Sequence, residues 1–106
     1  MKFEWLNKQG VKSDEGFVVQ CVSRDAYEYR ERDHILRLEG ESAFGNLEGA
    51  SFGFHFYPDW KTRCWLPPHS NEIIVDEHRK KIVRNIEAAF EFMDGRALFG
   101  GLRSVT

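Results

Sequence analysis

The sequence predicts an α+β fold: an antiparallel sheet of about four to six strands with one long helix from the C-terminal half packed on one face. Three observations carry this expectation. Short runs alternate apolar and polar residues at the two-residue period of a strand, they are joined by short links, and one later segment repeats its apolar residues at helical spacing.

Residues 1–16 form an N-terminal strand and turn. Phe3 to Leu6 suits a short strand, and Asn7 to Gly16, with Gly10, Ser13, Asp14 and Gly16, is turn-rich. Residues 17–57 form a meander. Phe17 to Val22 is almost continuously apolar and suits a buried strand. Tyr27-Glu28-Tyr29-Arg30 alternates, and in Ile35-Leu36-Arg37-Leu38-Glu39 the two leucines share one face while Arg37 and Glu39 share the other. Links this short require antiparallel neighbours, because a parallel pair needs a crossover of about a dozen residues or more. After the glycine-bearing connection from Gly40 to Gly49, Phe52, Phe54 and Phe56 point one way, and Ser51, Gly53, His55 and Tyr57 point the other.

Three phenylalanines on one face need a cover, which residues 76–94 supply. Ile82, Val83, Ile86, Ala89, Phe90 and Met93 fall on a single helical face, and Lys80, Arg84, Glu87 and Glu91 fall on the opposite one. Asp76 suits the N-cap and Gly95 the position after the C-cap. Arg96 to Phe99 suits a last short strand. The 106 residues are expected to make a single domain.

Composition narrows the function. Fifteen Lys and Arg against seventeen Asp and Glu give a formal charge of −2, so no global basic field exists to hold nucleic acid. Residues 1–49 carry seven basic and ten acidic side chains, a mild asymmetry that favours a basic macromolecular partner. Glu4 and Lys8 interrupt the N-terminal segment, which is therefore not read as a signal peptide, and no run is long and apolar enough to span a membrane. Cys21 and Cys64 lack the close-set partners of a zinc motif; they suit a reducing compartment, with Cys21 a small buried hydrophobe.

The chemical motifs are weak. Gly49-Ala50-Ser51-Phe52-Gly53 matches the nucleophile elbow in letters, but a strand rather than a helix follows the serine, and the chain is too short for the sheet that carries that elbow. Gly95 and Gly100 have phosphate-loop spacing without the lysine and hydroxyl that such a loop needs. His34, His55, His69 and His78 show no short ligand spacing and read as surface histidines, with a contact between His55 and His78 conceivable. Arg79-Lys80-Lys81 with Arg84 reads as a solvated helix face. The segment from Asp59 to His69 stands out: Trp65 suits a plug at the edge of the sheet–helix layer, and Trp60 with Arg63 beside Asp59 forms a candidate anchor, since Trp and Arg dominate protein interfaces.

Taken together, Gly16-Phe17-Val18-Val19, Arg24, Tyr27-Glu28-Tyr29-Arg30-Glu31, the run from Leu36 to Glu41, Trp65-Leu66-Pro67-Pro68 and the run from Asp76 to Ile86 resemble the small α+β immunity proteins of bacterial polymorphic-toxin and contact-dependent growth-inhibition systems. The resemblance covers about Gly16 to Gly95. It implies a cytoplasmic protein that binds the C-terminal domain of a cognate toxin and blocks its active site or substrate access. It also implies no catalysis, no cofactor and no metal, and no nucleic-acid or membrane partner is expected; the chain is expected to be a monomer or weak homodimer, since a free edge strand could pair with its twin or with the toxin. If the toxin is a nuclease, its basic cleft should meet an acidic edge formed by Glu28, Glu39, Glu41 and Glu48. The expected interface residues are Glu28, Glu39, Glu41, Asp59, Trp60 and Arg63, none of them assigned by a family motif. The alternatives are a small hydrolase using Ser51 or the His55 region, and a ligand-binding module using the aromatic sheet face.

Overall fold

Seven strands follow one another in space in the order in which the chain makes them. The computed structural model describes residues 1–44 and 47–99. It contains β1 (Phe3–Asn7), β2 (Gly10–Ser13), β3 (Phe17–Ser23), β4 (Ala26–Glu31), β5 (His34–Ala43), β6 (Phe52–Phe56), a 3-10 turn (Pro58–Lys61), α1 (Asp76–Phe92) and β7 (Gly95–Phe99). One sheet takes all seven strands in the order β1 to β7. The neighbours from β1 to β6 are antiparallel, whereas β6 and β7 run parallel, with α1 carried in the crossover between them.

The fold is α+β as expected, with two corrections to the sheet. Among the described residues it has seven strands rather than four to six, and it is mixed rather than wholly antiparallel. The added strand is β2, in the stretch read as turn. Its inward positions are Val11 and Ser13, and a hydroxyl at a buried position hides the strand's alternation.

The six residues expected to form the apolar face of α1 are all buried, and Lys80, Arg84, Glu87 and Glu91 are exposed. Full burial of an Ile, Val or Phe side chain contributes about 1.5–3 kcal/mol, so this face fastens the helix to the sheet. The centre of the core is aromatic: Phe56 stacks on Phe99 at 4.5 Å between ring centres and meets Phe54 and Phe90 edge-on. One polar pair is buried with them, the Asn85 side-chain amide donating to the Tyr29 hydroxyl at 3.0 Å. Burial pushes the Tyr29 phenol far above its ordinary pKa.

The helix ends differ from expectation. Val75 is the N-cap, without a side-chain bond, and Asp76 is the first helical residue, where it and Glu77 face the positive end of the helix dipole. At the other end Asp94, not Gly95, takes the left-handed conformation, with φ of 64°. Gly95 already belongs to β7 and is needed for a different reason, since a Cβ there would come within 2.3 Å of the Phe52 ring.

Candidate partner-binding surface

Strand alternation sends Leu36 and Leu38 inward and leaves Arg37, Glu39 and Glu41 on the outer face of β5. Antiparallel register then sets their neighbours. Glu28 on β4 lies opposite Arg37, and Glu41 lies opposite His55 on β6. Two backbone bonds extend the pattern past the strand ends: Gly40 donates to the Asp25 carbonyl and Tyr57 to the Glu39 carbonyl, each at 2.9 Å. Asp25, Glu39 and Glu41 are thereby gathered beside the Tyr57 ring. The hydrogen bond with Glu41, then lost hydration and the charges of Glu41, Asp25 and Glu39, push the exposed Tyr57 phenol above its ordinary pKa.

The 3-10 turn adds Asp59 and Arg63. Arg63 Nη2 donates to Glu39 Oε1 at 2.5 Å, and its Nε donates to Asp59 Oδ2 at 3.2 Å. Four carboxylates, from Asp25, Glu39, Glu41 and Asp59, thus surround one phenol and one guanidinium on an exposed face.

Of the expected interface residues, Glu39, Glu41, Asp59 and Arg63 come together here. Glu28 lies on the same sheet face but one step along the ladder, 3.8 Å from the Arg37 guanidinium. Trp60 is corrected: its side chain points into the core, edge-on to Phe99 at 5.5 Å, and it is 7% exposed. Trp65 is in the core as well. Glu48 does not join the acidic edge; it pairs with Arg96 on β7, in a groove also lined by Glu87, Glu91 and Asp94. Sequence reasoning missed Asp25 and Tyr57. Their signal was the register itself: the β4–β5 pairing brings Asp25 beside Gly40, and the β5–β6 pairing brings Tyr57 beside Glu39.

The chemical alternatives fare as follows. The Ser51 hydroxyl donates to the Asp94 carboxylate, and β6 follows it directly, so the segment is not a strand–turn–helix elbow. His55 and His78 do not meet: His55 is exposed on the outer face, while His78 on α1 sits 3.0 Å from the Glu31 carboxylate and packs on Trp65. Phe54 and Phe56 of β6 are buried in the core, where Phe56 meets Phe90 of α1, while Phe52 stays half-buried and lines a surface cavity with Tyr27 and Phe54. Cys21 and Cys64 are free, and Cys21 is half-buried rather than buried.

A second cluster has no counterpart in the sequence reading. His34 and His69 stack face to face, 3.7 Å between ring centres, with Asp33 and Glu72 at their edges. Hydrogen bonding to Glu72 raises the His34 pKa, and bonding to His34 and His69 lowers that of Glu72. Asp33 is lowered chiefly by its bond to His69. The pairs lie 36 and 38 positions apart, beyond the reach of any local spacing rule.

The chain is thus a small α+β protein that carries a carboxylate-rich patch at the outer face of β5. The chain belongs to the family Immunity protein 74, whose profile matches residues 18–96. That span runs from β3 into β7, so β1 and β2 lie outside it. No curated protein and no solved structure matches the chain. Family membership makes it an immunity protein of a toxin–immunity system, a class whose partner is a toxin.

Proposed function

We propose that this immunity protein neutralises its cognate toxin domain by stoichiometric binding rather than by catalysis, and that the toxin docks on the surface formed by Asp25, Glu39, Glu41, Tyr57, Asp59 and Arg63. The carrying observation is the gathering of Asp25, Glu39 and Glu41 around the exposed Tyr57, with Asp59 joined to Glu39 through Arg63, in a member of an immunity family.

The chemistry favours a nuclease as the toxin. A nuclease cleft must be basic to hold phosphates, and clustered carboxylates on a rigid ladder offer it a competing set of anionic oxygens. Charge complementarity of this kind speeds association and sets specificity. Tyr57 supplies an amphipathic ring for the contact itself, and tyrosine is among the residue types that carry interface energy. Blocking the active site or the substrate's access to it is then sufficient for protection, with no cofactor required. Such a protein acts in the cytoplasm, where the toxin would do its damage.

The experiment is native capture of the tagged protein with mass spectrometry, followed by binding kinetics. The expected capture is an equimolar fragment from the C-terminal region of a large secreted protein. Recovery of the chain alone, with the toxin gene expressed, overturns the reading. Glu39→Lys with Glu41→Lys should then slow toxin association strongly at low salt and weakly at high salt. An unchanged rate at both salts removes this surface from the interface.

A further inference from the structure

We propose that Asp33, His34 and His69 form a binding site for a divalent transition cation of the zinc class, with Glu72 orienting the two imidazoles that ligate it. This site is separate from the proposed toxin-binding surface.

The four residues are brought together by backbone. Asp33 and His34 sit at the β4–β5 turn. The connection leading to α1 is fastened beside them by Leu66 donating to the Ile35 carbonyl at 2.7 Å. Two turn bonds, His69 to Leu66 at 3.1 Å and Glu72 to His69 at 3.0 Å, then present both side chains to the hairpin. Trp65 closes one side, its ring 5.1 Å from His34. The imidazoles are about one-fifth exposed, whereas Asp33 is three-quarters exposed and marks the way in.

Two opposite edges of the stacked rings do different work. At one edge the Asp33 carboxylate meets His34 Nδ1 at 3.0 Å and His69 Nε2 at 3.1 Å. One ligand atom from each of these three residues lies within 4.8 Å of the others. Ligand bonds of about 2.0–2.2 Å around zinc require the two rings, stacked at 3.7 Å with 15° between their planes, to tilt so that His34 Nδ1 and His69 Nε2 converge on one point beside Asp33. At the other edge Glu72 meets His34 Nε2 at 2.8 Å and His69 Nδ1 at 2.6 Å. A ligating imidazole keeps a proton on its second nitrogen and donates it to a carboxylate, which holds the ring in place. Glu72 does this for both rings at once.

The donor set selects the ion. Two imidazole nitrogens and one carboxylate suit zinc, nickel or copper, not magnesium or calcium, which take oxygen ligands.

The test is calorimetric titration of the full-length, tag-free protein with Zn2+ at neutral pH. The expected result is one site of micromolar affinity or better, with no comparable binding of Mg2+. His69→Ala and Asp33→Asn should each weaken it by about a hundredfold, and Glu72→Gln by about 10–100-fold. Cys64→Ser and His55→Ala should leave it unchanged, and zinc should raise the melting temperature of the unaltered protein reversibly with a chelator. Millimolar or weaker affinity overturns the proposal, as does binding that survives Asp33→Asn but is lost with Cys64→Ser. If His69→Ala fails to fold, Asp33→Asn, on an exposed side chain, decides the matter.

Discussion

The guanidinium of Arg63 donates to Glu39 at 2.5 Å while also gripping Asp59, so one side chain ties the 3-10 turn after β6 to the outer face of β5. The two carboxylates it joins belong to the proposed docking surface. Arg63 therefore organises the acidic patch and at the same time dilutes its charge.

Arg63→Ala should separate these roles. Both partners of the pair are about two-fifths exposed, so the loss of stability should stay within about 1 kcal/mol, measured by urea unfolding. Association with a basic toxin should become faster at low salt, because a positive charge has left the patch, and the gain should vanish at high salt. Slower association at every salt concentration would mean that the contacts Arg63 itself makes or organises outweigh the charge it cancels.

The buried pair in the core makes a second prediction. Tyr29→Phe removes the acceptor of the Asn85 amide and should cost about 1–3 kcal/mol. Adding Asn85→Leu should recover most of that loss, since both polar groups then leave the core together. A double variant as unstable as the Tyr29→Phe single would assign the cost to packing and not to the stranded amide.

A third prediction contrasts two glycines. A Cβ at Gly40 would fall 2.1 Å from the His55 carbonyl oxygen and 2.7 Å from the Phe54 ring, and the carbonyl belongs to a strand that cannot yield freely. Gly40→Ala should therefore reach or exceed the upper part of the roughly 1–3 kcal/mol range for overpacking. Gly49 has no atom within 4 Å of such a Cβ but has φ of 88°, so Gly49→Ala should cost only the conformational term, about 1–2 kcal/mol. Melting temperatures in the reverse order would place the crowding elsewhere.

Ser51→Ala is the fourth. It removes one exposed hydrogen bond to Asp94 and should lower stability by no more than about 1.5 kcal/mol. Cells carrying the variant should remain fully protected against the toxin. Lost protection with an intact fold would return the serine to a chemical role.

What was legible in the sequence was periodic. Phe17, Val19, Leu36, Leu38, Phe54 and Phe56, and the entire apolar face of α1, follow from alternation or helical spacing, and all are buried. What was not legible depends on partners distant in the chain. Nothing local distinguishes Trp60, which turns inward, from Asp59 beside it, which turns out, because a 3-10 turn has neither period. Ser13 reads as loop until its position opposite the core is known. The parallel pairing of β7 follows from where α1 delivers the chain, and the Asp33–His34–His69–Glu72 cluster exists only after a hairpin and a distant connection have docked. In the acidic patch the strand residues Glu39 and Glu41 were accessible to pattern, whereas Asp25 and Tyr57 enter through register.

The parallel closure of β7 on β6 also has a consequence for synthesis. The antiparallel pairs from β1 to β6 are made between segments that leave the ribosome one after another, so the meander can assemble as it emerges. Its aromatic face stays unroofed until α1 and β7, which follow β6 in the chain, have been made. During that interval Tyr27, Phe54 and Phe56 are open to solvent and to other nascent chains, and a ribosome stalled before α1 would release a sticky half-molecule.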